Sequence, residues 1–175
     1  AGPGDEVIAS QALYGGTTHL FQGIFKDMGI RVHLVDIRDR GHIEALFTER
    51  TRALFTETIG NPMNTVADLG MLSGIAHAHG VPLVVDSTVT TPYLMRPIEH
   101  GADIVVHSLT KFMGGHGLSI GGSVTDAGRF DWRDFPRLGG RDSVPDFSQD
   151  YGKAAYIERL RQVLLRYTGG CLSPF

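Results

Sequence analysis

Two ionisable residues of opposite charge, Asp86 and Lys111, follow apolar runs that are built to be buried. Asp86 ends the run LVVD, and Lys111 comes directly after IVVHSLT. If both runs are parallel strands of an α/β sheet, their carboxyl ends open on one crevice, which is where such sheets bind ligands. The simplest interpretation is a structural ion pair between the two side chains. The other interpretation is that both side chains face one ligand.

The surroundings of Lys111 favour a ligand that carries an anionic group. Ser108 and Thr110 supply hydroxyl groups, and the run GGHGLSIGG at 114–122 lets backbone approach a bound group closely. A lysine whose surroundings favour the neutral amine can form a Schiff base with a carbonyl compound. A carbonyl cofactor with a phosphate group would use all of these residues.

The elements that position these residues alternate between short β-branched runs and helical patterns. Strands are predicted at 7–10, 32–36, 53–57, 83–86, 104–107 and 122–125. Helices are predicted at 20–28, 68–80 and 148–167, and a connection rich in Asp, Pro, Gly and Ser is predicted at 132–150. The alternation predicts an α/β fold, with a mostly parallel sheet flanked by helices.

The composition excludes several classes of protein. The 175 residues fit one domain, and a formal net charge of -3 gives no basic excess for nucleic acid. No apolar run approaches the ~18 residues of a membrane span, and the opening AGPGDEVIAS does not resemble a signal peptide. The single Cys171 cannot form an internal disulfide, which fits a reducing compartment. We therefore expect a cytoplasmic protein.

The spacing of the residues argues against other kinds of binding site. The histidines of HAH at 77–79 lie on different faces of a helix and have no cysteine or HExxH partner, so we expect no metal site. Ile120 stands where a dinucleotide fingerprint needs its third glycine. The only Gly-Lys pair is followed by alanine in GKA at 152–154, which excludes a P-loop.

Several segments, in order, closely resemble one family of enzymes. They are LYGGTTHLF (13–21), ETIGNP (57–62), VVDSTVTTPYLMRPIEHGADIVVHSLTK (84–111) and GGHGLSIGG (114–122). The family is that of the pyridoxal-phosphate (PLP)-dependent enzymes of Cys/Met metabolism, or transsulfuration, and the resemblance covers essentially the whole chain. It implies the central part of the large domain of a fold-type I enzyme, similar to aspartate aminotransferase.

The resemblance implies catalytic roles for two residues. Lys111 would carry the cofactor covalently and then move protons at the α and β carbons of the substrate. Tyr14 would stack on the cofactor ring and assist proton transfer. Both residues would also belong to the cofactor-binding set.

Four more residues complete the cofactor-binding set that the resemblance implies. Asp86 would pair with the ring nitrogen and hold it protonated. Asn61 would hydrogen-bond the phenolic oxygen of the ring. Ser108 and Thr110 would hold the phosphate, because hydroxyl groups donate well to its oxygens. Asp86 and Lys111 would then hold opposite ends of one flat cofactor, which predicts a gap between them rather than contact.

Within the family, the long insert after Asp131–Trp132 is most similar to the branch that sulfhydrylates O-acetyl-L-homoserine. The implied reaction replaces acetate at the γ carbon with sulfide or a thiol. Cystathionine γ-synthase, cystathionine lyase and methionine γ-lyase activities are the alternatives. An inactive folding or interaction module is an alternative of another class.

The resemblance also predicts how the chain is organised. Residues 1–130 would be part of a PLP-binding domain, 131–150 a connecting insert, and 151–175 a helix leading toward a further domain. Family members extend past both ends, so the chain is expected to be an internal fragment. A homotetramer is expected on the same ground.

Overall fold

The computed structural model describes residues 1–133, 135, 137–139 and 145–171, and its centre is one six-stranded sheet. The strands are β1 (Glu6–Ser10), β2 (Arg31–Val35), β3 (Thr51–Glu57), β4 (Leu83–Asp86), β5 (Ile104–Ser108) and β6 (Gly122–Asp126). Their order across the sheet is β2-β1-β3-β4-β5-β6. The first five strands are parallel, and β6 runs antiparallel to β5. The predicted mostly parallel sheet is confirmed, and every predicted strand end lies within two residues of the observed one.

Both faces of the sheet are covered, because successive side chains of a strand point to opposite sides. Leu83 and Val85 belong to the larger core, which packs against the helix at 69–78. Val84, between them, packs into a second core on the other face, together with Ile104. Strands buried in this way read as continuous apolar runs, which is why the sequence located them.

The helices of the first half connect the strands. Helix α1 (Gly15–His19) continues directly into a π-helical segment (Leu20–Phe25), so the helix predicted at 20–28 begins earlier than expected. Helix α2 (Arg40–Ala45) was not predicted, because six residues with one buried side chain show no clear period. Helix α3 (Leu69–Ala78) confirms the helix predicted at 68–80, and the Asp68 carboxylate caps it by accepting from the Met71 N–H.

Short helical elements occupy the second half. Helix α4 (Thr91–Leu94) and a 3₁₀ turn (Pro97–His100) lie between β4 and β5, and a π-helical turn (Leu109–Met113) follows β5. After β6 come α5 (Phe147–Tyr151), a 3₁₀ turn (Gly152–Ala154), α6 (Ala155–Arg159), a π-helical segment (Leu160–Leu165) and α7 (Arg166–Thr168).

The helix predicted at 148–167 is confirmed over 155–167, but the prediction of one continuous helix is wrong. The helix is broken at Gly152, whose φ of 55° and ψ of -121° are not helical and are readily adopted by glycine. Part of the predicted connection at 132–150 is also packed rather than exposed. Trp132, Leu138 and Phe147 are buried against Ile104 in the second core.

No helix in the described part of the chain is both long enough and apolar enough to cross a membrane.

Candidate active site

A cavity of about 570 Å³ opens beyond the carboxyl ends of β1, β3, β4 and β5. Its position is the crevice in which open α/β sheets bind ligands. Its walls are formed by Tyr14, Glu57, Asn61, Asp86, Thr88, Val89, Ser108, Thr110, Lys111, Phe112, Gly115 and Gly117. The structure thus brings together all six residues that were predicted to bind the cofactor.

Asp86 and Lys111 lie on the walls of this cavity without pairing. The ion pairs between described residues do not include one between these two side chains. The Asp86 carboxylate instead accepts a hydrogen bond of 2.9 Å from the Thr88 N–H. The Lys111 Nζ atom lies 6.0 Å from the centre of the Tyr14 ring. This arrangement does not support the structural ion pair.

The turn that carries Lys111 depends on a close approach of backbone. Its helical path is interrupted at Lys111, where φ is -91° and ψ is -124°. The Gly114 N–H then returns to donate a hydrogen bond of 2.8 Å to the Leu109 carbonyl. A Cβ atom at position 114 would lie 2.5 Å from that oxygen, so only glycine fits there. This glycine shapes the lysine turn.

The hydroxyl-bearing residues connect neighbouring walls. The Thr88 Oγ1 atom accepts a hydrogen bond of 2.8 Å from the Ser108 N–H, while the Thr88 N–H holds Asp86. The Thr110 Oγ1 atom accepts one of 3.0 Å from the Gly121 N–H, which ties the glycine run to the lysine turn. Sequence reasoning missed Thr88. A hydroxyl group two residues after Asp86 was the available signal.

Glu57 is a second acid on the cavity wall that sequence reasoning missed. It ends β3, only 6% of it is exposed, and it is the register partner of Asp86 on the neighbouring strand. Its Oε1 atom accepts a hydrogen bond of 2.6 Å from the Tyr14 N–H. Burial raises the pKa of Glu57, the Tyr14 N–H opposes this, and the charge of Asp86 raises it further. The signal was the same as for Asp86, because an acid ends an apolar strand.

The histidines lie outside the cavity. His107 is buried and lines a separate hollow with Met95 and Val105, and burial lowers its pKa against the opposing charge of Asp86. His77 Nε2 lies 2.7 Å from a carboxylate oxygen of the buried Asp103. Over the residues that the structure describes, no group of His, Cys, Asp and Glu is arranged to hold a metal ion.

Comparison with known families decides what kind of site this is. Residues 1–175 match the model of the Cys/Met metabolism PLP-dependent enzymes. The chain belongs to this family. The enzymes of this family use pyridoxal phosphate as their cofactor. The observed sheet has the fold-type I architecture that the solved members of the family share.

Several relatives within the family are sulfhydrylases. O-acetyl-L-homoserine sulfhydrylase of Leptospira meyeri is 42% identical over 98% of this chain. The structure of O-acetylhomoserine sulfhydrylase from Wolinella succinogenes superimposes with a TM-score of 0.88 at 41% identity, covering 99% of this chain and 48% of that one. A putative O-acetylhomoserine (thiol)-lyase from Campylobacter jejuni, solved with N'-pyridoxyl-lysine-5'-monophosphate, gives 0.86 at 30% identity and covers 99% of this chain and 45% of that one. The chain spans about 42% of the length of the Leptospira enzyme.

The residues of the cavity fit the family cofactor. Its volume, about 570 Å³, lies within the ~300–1,000 Å³ of small-molecule sites. A carboxylate and an amine, those of Asp86 and Lys111, line it without forming an ion pair, as a ring held at both ends requires. The hydroxyl-bearing residues Ser108 and Thr110 line it as well, and hydroxyl groups donate well to phosphate oxygens.

Proposed function

We propose that this chain holds PLP in the cavity described above, and that the intact protein replaces the acetate of O-acetyl-L-homoserine with sulfide or a thiol. The observation that carries the proposal is that Asp86 and Lys111 line one cavity without forming an ion pair. The sulfhydrylases that resemble the chain favour this reaction over cystathionine synthesis or lysis.

Each side chain of the site would contact a different part of the cofactor. When bound, PLP supplies a ring that accepts the electron pair left at the α carbon of the substrate. Asp86 would hold the ring nitrogen, and Asn61 would donate to the phenolic oxygen. Ser108 and Thr110 would donate to the phosphate. Thr88 would keep the Asp86 carboxylate in place through its N–H.

Lys111 would be both the attachment point and the proton carrier. Its amine would hold the cofactor covalently, and the free amine would take the proton from the α carbon of the substrate. It would then move protons at the β carbon, so that acetate leaves from the γ carbon and sulfur adds there. Tyr14 would lie on the face of the ring, and its hydroxyl would assist the transfer.

The assembly and compartment also belong to this proposal. We expect a homo-oligomer, a tetramer by resemblance to the family, whose non-protein partners are the amino-acid substrate and sulfide or a thiol. A cytoplasmic location fits the exposed, unpaired thiol of Cys171.

Reduction of the bound cofactor tests the site. The chain has three lysines, Lys26, Lys111 and Lys153, so a protein saturated with PLP and treated with borohydride can be digested and each lysine weighed by mass spectrometry. We expect a pyridoxyl label on Lys111 and none on the other two. An unlabelled Lys111 at saturation would contradict the proposal.

Product analysis of the intact protein tests the reaction. Supplied with O-acetylhomoserine and sulfide, it should release acetate and form homocysteine in equal amounts. Faster turnover of cystathionine or methionine would instead favour one of the lyase alternatives.

A further inference from the structure

Glu57 is buried at the cavity without a positive partner. It is 6% exposed, and the ion pairs between described residues do not include it. Asp86 stands directly opposite on the next strand, so two carboxyl groups share one side of the site. Burying a carboxylate beside another is costly, and such a residue is retained where it has a specific role.

One hydrogen bond of Glu57 points to that role. Its carboxylate accepts from the Tyr14 N–H at 2.6 Å, and the Asn61 N–H also opposes the rise of its pKa. Tyr14 is the residue proposed to contact the face of the ring. It lies in the loop after β1 and is separated from Glu57 by 43 residues in the sequence. The Glu57 carboxylate therefore fixes the Tyr14 loop to the end of β3.

The loops after β1 and after β3 also meet directly beside this carboxylate. A Cβ atom at Gly60 would lie 2.6 Å from the Ala12 carbonyl oxygen, so the loops pack backbone to backbone there. Such a contact holds the loops together, but it does not orient the residues at their tips. The bond to Glu57 acts two residues beyond Ala12, at the Tyr14 N–H.

We propose that Glu57 is a positioning residue for the cofactor, acting through the backbone of Tyr14. This inference rests on the proposed function, because it concerns a residue that would contact the ring. A charged acceptor makes stronger hydrogen bonds to N–H groups than a neutral one. The negative charge thus holds the Tyr14 ring in the place from which it contacts the cofactor.

Cofactor affinity in the intact protein tests the inference. We expect Glu57→Ala to raise the dissociation constant for PLP about tenfold, because the Tyr14 N–H loses its charged acceptor. Glu57→Gln keeps one acceptor oxygen and should raise it about threefold or less. The matched control is Glu6→Ala, which removes an equally buried glutamate at the opposite end of the sheet and should leave the constant unchanged.

A double-mutant cycle separates positioning from a general effect on folding. If Glu57 acts through Tyr14, then Glu57→Ala should weaken binding much less in a Tyr14→Ala background than in the wild type. The visible circular dichroism of the bound cofactor should change in Glu57→Ala and stay the same in Glu6→Ala, because it reports how the ring is seated. If Glu57→Ala does not fold, the same cycle can be measured with Glu57→Gln. Its effect on PLP affinity should also be non-additive with that of Tyr14→Ala, but smaller.

The outcomes are distinguishable from failure of the proposed function. A wild-type protein that takes up no PLP contradicts the proposed function and this inference together. A wild type that binds PLP through Lys111, with Glu57 variants of unchanged affinity or of effects strictly additive to Tyr14→Ala, overturns this inference alone. An equal loss of affinity in Glu6→Ala also overturns it, because the effect would then be one of overall stability.

Discussion

Two buried glutamates lie at opposite ends of the same sheet and are treated differently by their surroundings. Glu6 begins β1 and Glu57 ends β3, and they are 4% and 6% exposed. Burial alone would raise the pKa of both. At Glu6, hydrogen bonds from Thr48 and His33 outweigh burial and lower the pKa. At Glu57, two N–H groups do not outweigh burial and the nearby Asp86, and the pKa is raised.

The difference shows where this fold accepts an unfavourable charge. The amino ends of the strands surround a buried acid with donors and with the cation of Arg31, so its charge is compensated. The carboxyl ends hold two acids and a lysine around an open cavity, and those charges do not compensate each other. Uncompensated ionisable groups cluster at functional sites, and here they lie at the end of the sheet where ligands bind.

Loss of the lysine amine should give the largest effect at the cavity end. We expect Lys111→Ala to lower the rate of the intact protein about 100- to 10,000-fold, because it removes the group that moves protons. Lys26→Ala, which removes an exposed lysine away from the cavity, should have near wild-type rates. Steady-state rates with O-acetylhomoserine and sulfide measure both variants. Comparable rates in Lys111→Ala and wild type would show that the cavity at the carboxyl ends of the strands takes no part in catalysis.

A core substitution between the two ends should act on stability alone. Leu54 is completely buried in β3, with Ile8 and Leu83 as its register partners. We expect Leu54→Ala to lower the free energy of unfolding by about 2–5 kcal/mol, measured by urea denaturation. Leu94→Ala, at a position 74% exposed, should change it by less than about 0.5 kcal/mol. If the two variants lost equal stability, the sheet would not be the core of the fold.

The two glutamates should show opposite dependences on pH. The folded pKa of Glu6 is below its usual 4.5, so its contribution to stability is present above pH 4.5 and is lost as the pH falls through the folded value. Glu6→Gln should therefore cost about 1 kcal/mol at neutral pH, with the difference from wild type shrinking in acid.

For Glu57 the sign is reversed. Its folded pKa is above 4.5, so wild-type stability falls as the pH rises from 4.5 through the folded value. Glu57→Gln removes this loss, and its stability relative to wild type should increase over the same window. The midpoints of urea denaturation, measured from acid to neutral pH, test both Glu6→Gln and Glu57→Gln. Glu49→Gln, which removes the charge of an exposed glutamate, is the control. Parallel curves for Glu6→Gln and Glu57→Gln would contradict the comparison between the two ends.

Much of the sheet could be predicted from sequence because parallel strands buried on both faces leave continuous apolar runs. Elements that depend on distant packing could not. Trp132 and Leu138 sit in a stretch rich in turn residues, yet the second core buries them against Ile104. The break at Gly152 was not predicted either, since a single glycine does not by itself end a helix and the backbone angles there reveal the turn.

The site shows the same division. Asp86 and Lys111 were found from the ends of their strands, whereas the gap between them was predicted only from the resemblance to the family. Glu57 ends a strand as Asp86 does, but its role depends on the N–H of Tyr14, 43 residues away. No spacing rule connects residues that far apart. Thr88 was missed for a related reason, because its partner, the Ser108 N–H, comes from the next strand.

The smallest effect is expected from an ion pair that belongs to neither end of the sheet. Arg96 Nε lies 2.6 Å from Glu99 Oε1, and the hydrogen bond from Arg96 lowers the pKa of Glu99, the same direction as at Glu6. These side chains are 62% and 57% exposed, so water screens the pair and solvates either partner alone. We expect Arg96→Ala to leave the urea midpoint unchanged within experimental error. If Arg96→Ala lost as much stability as Glu6→Gln, the direction of a pKa shift would predict stability even for exposed side chains. Burial would then not explain why the two ends of the sheet differ.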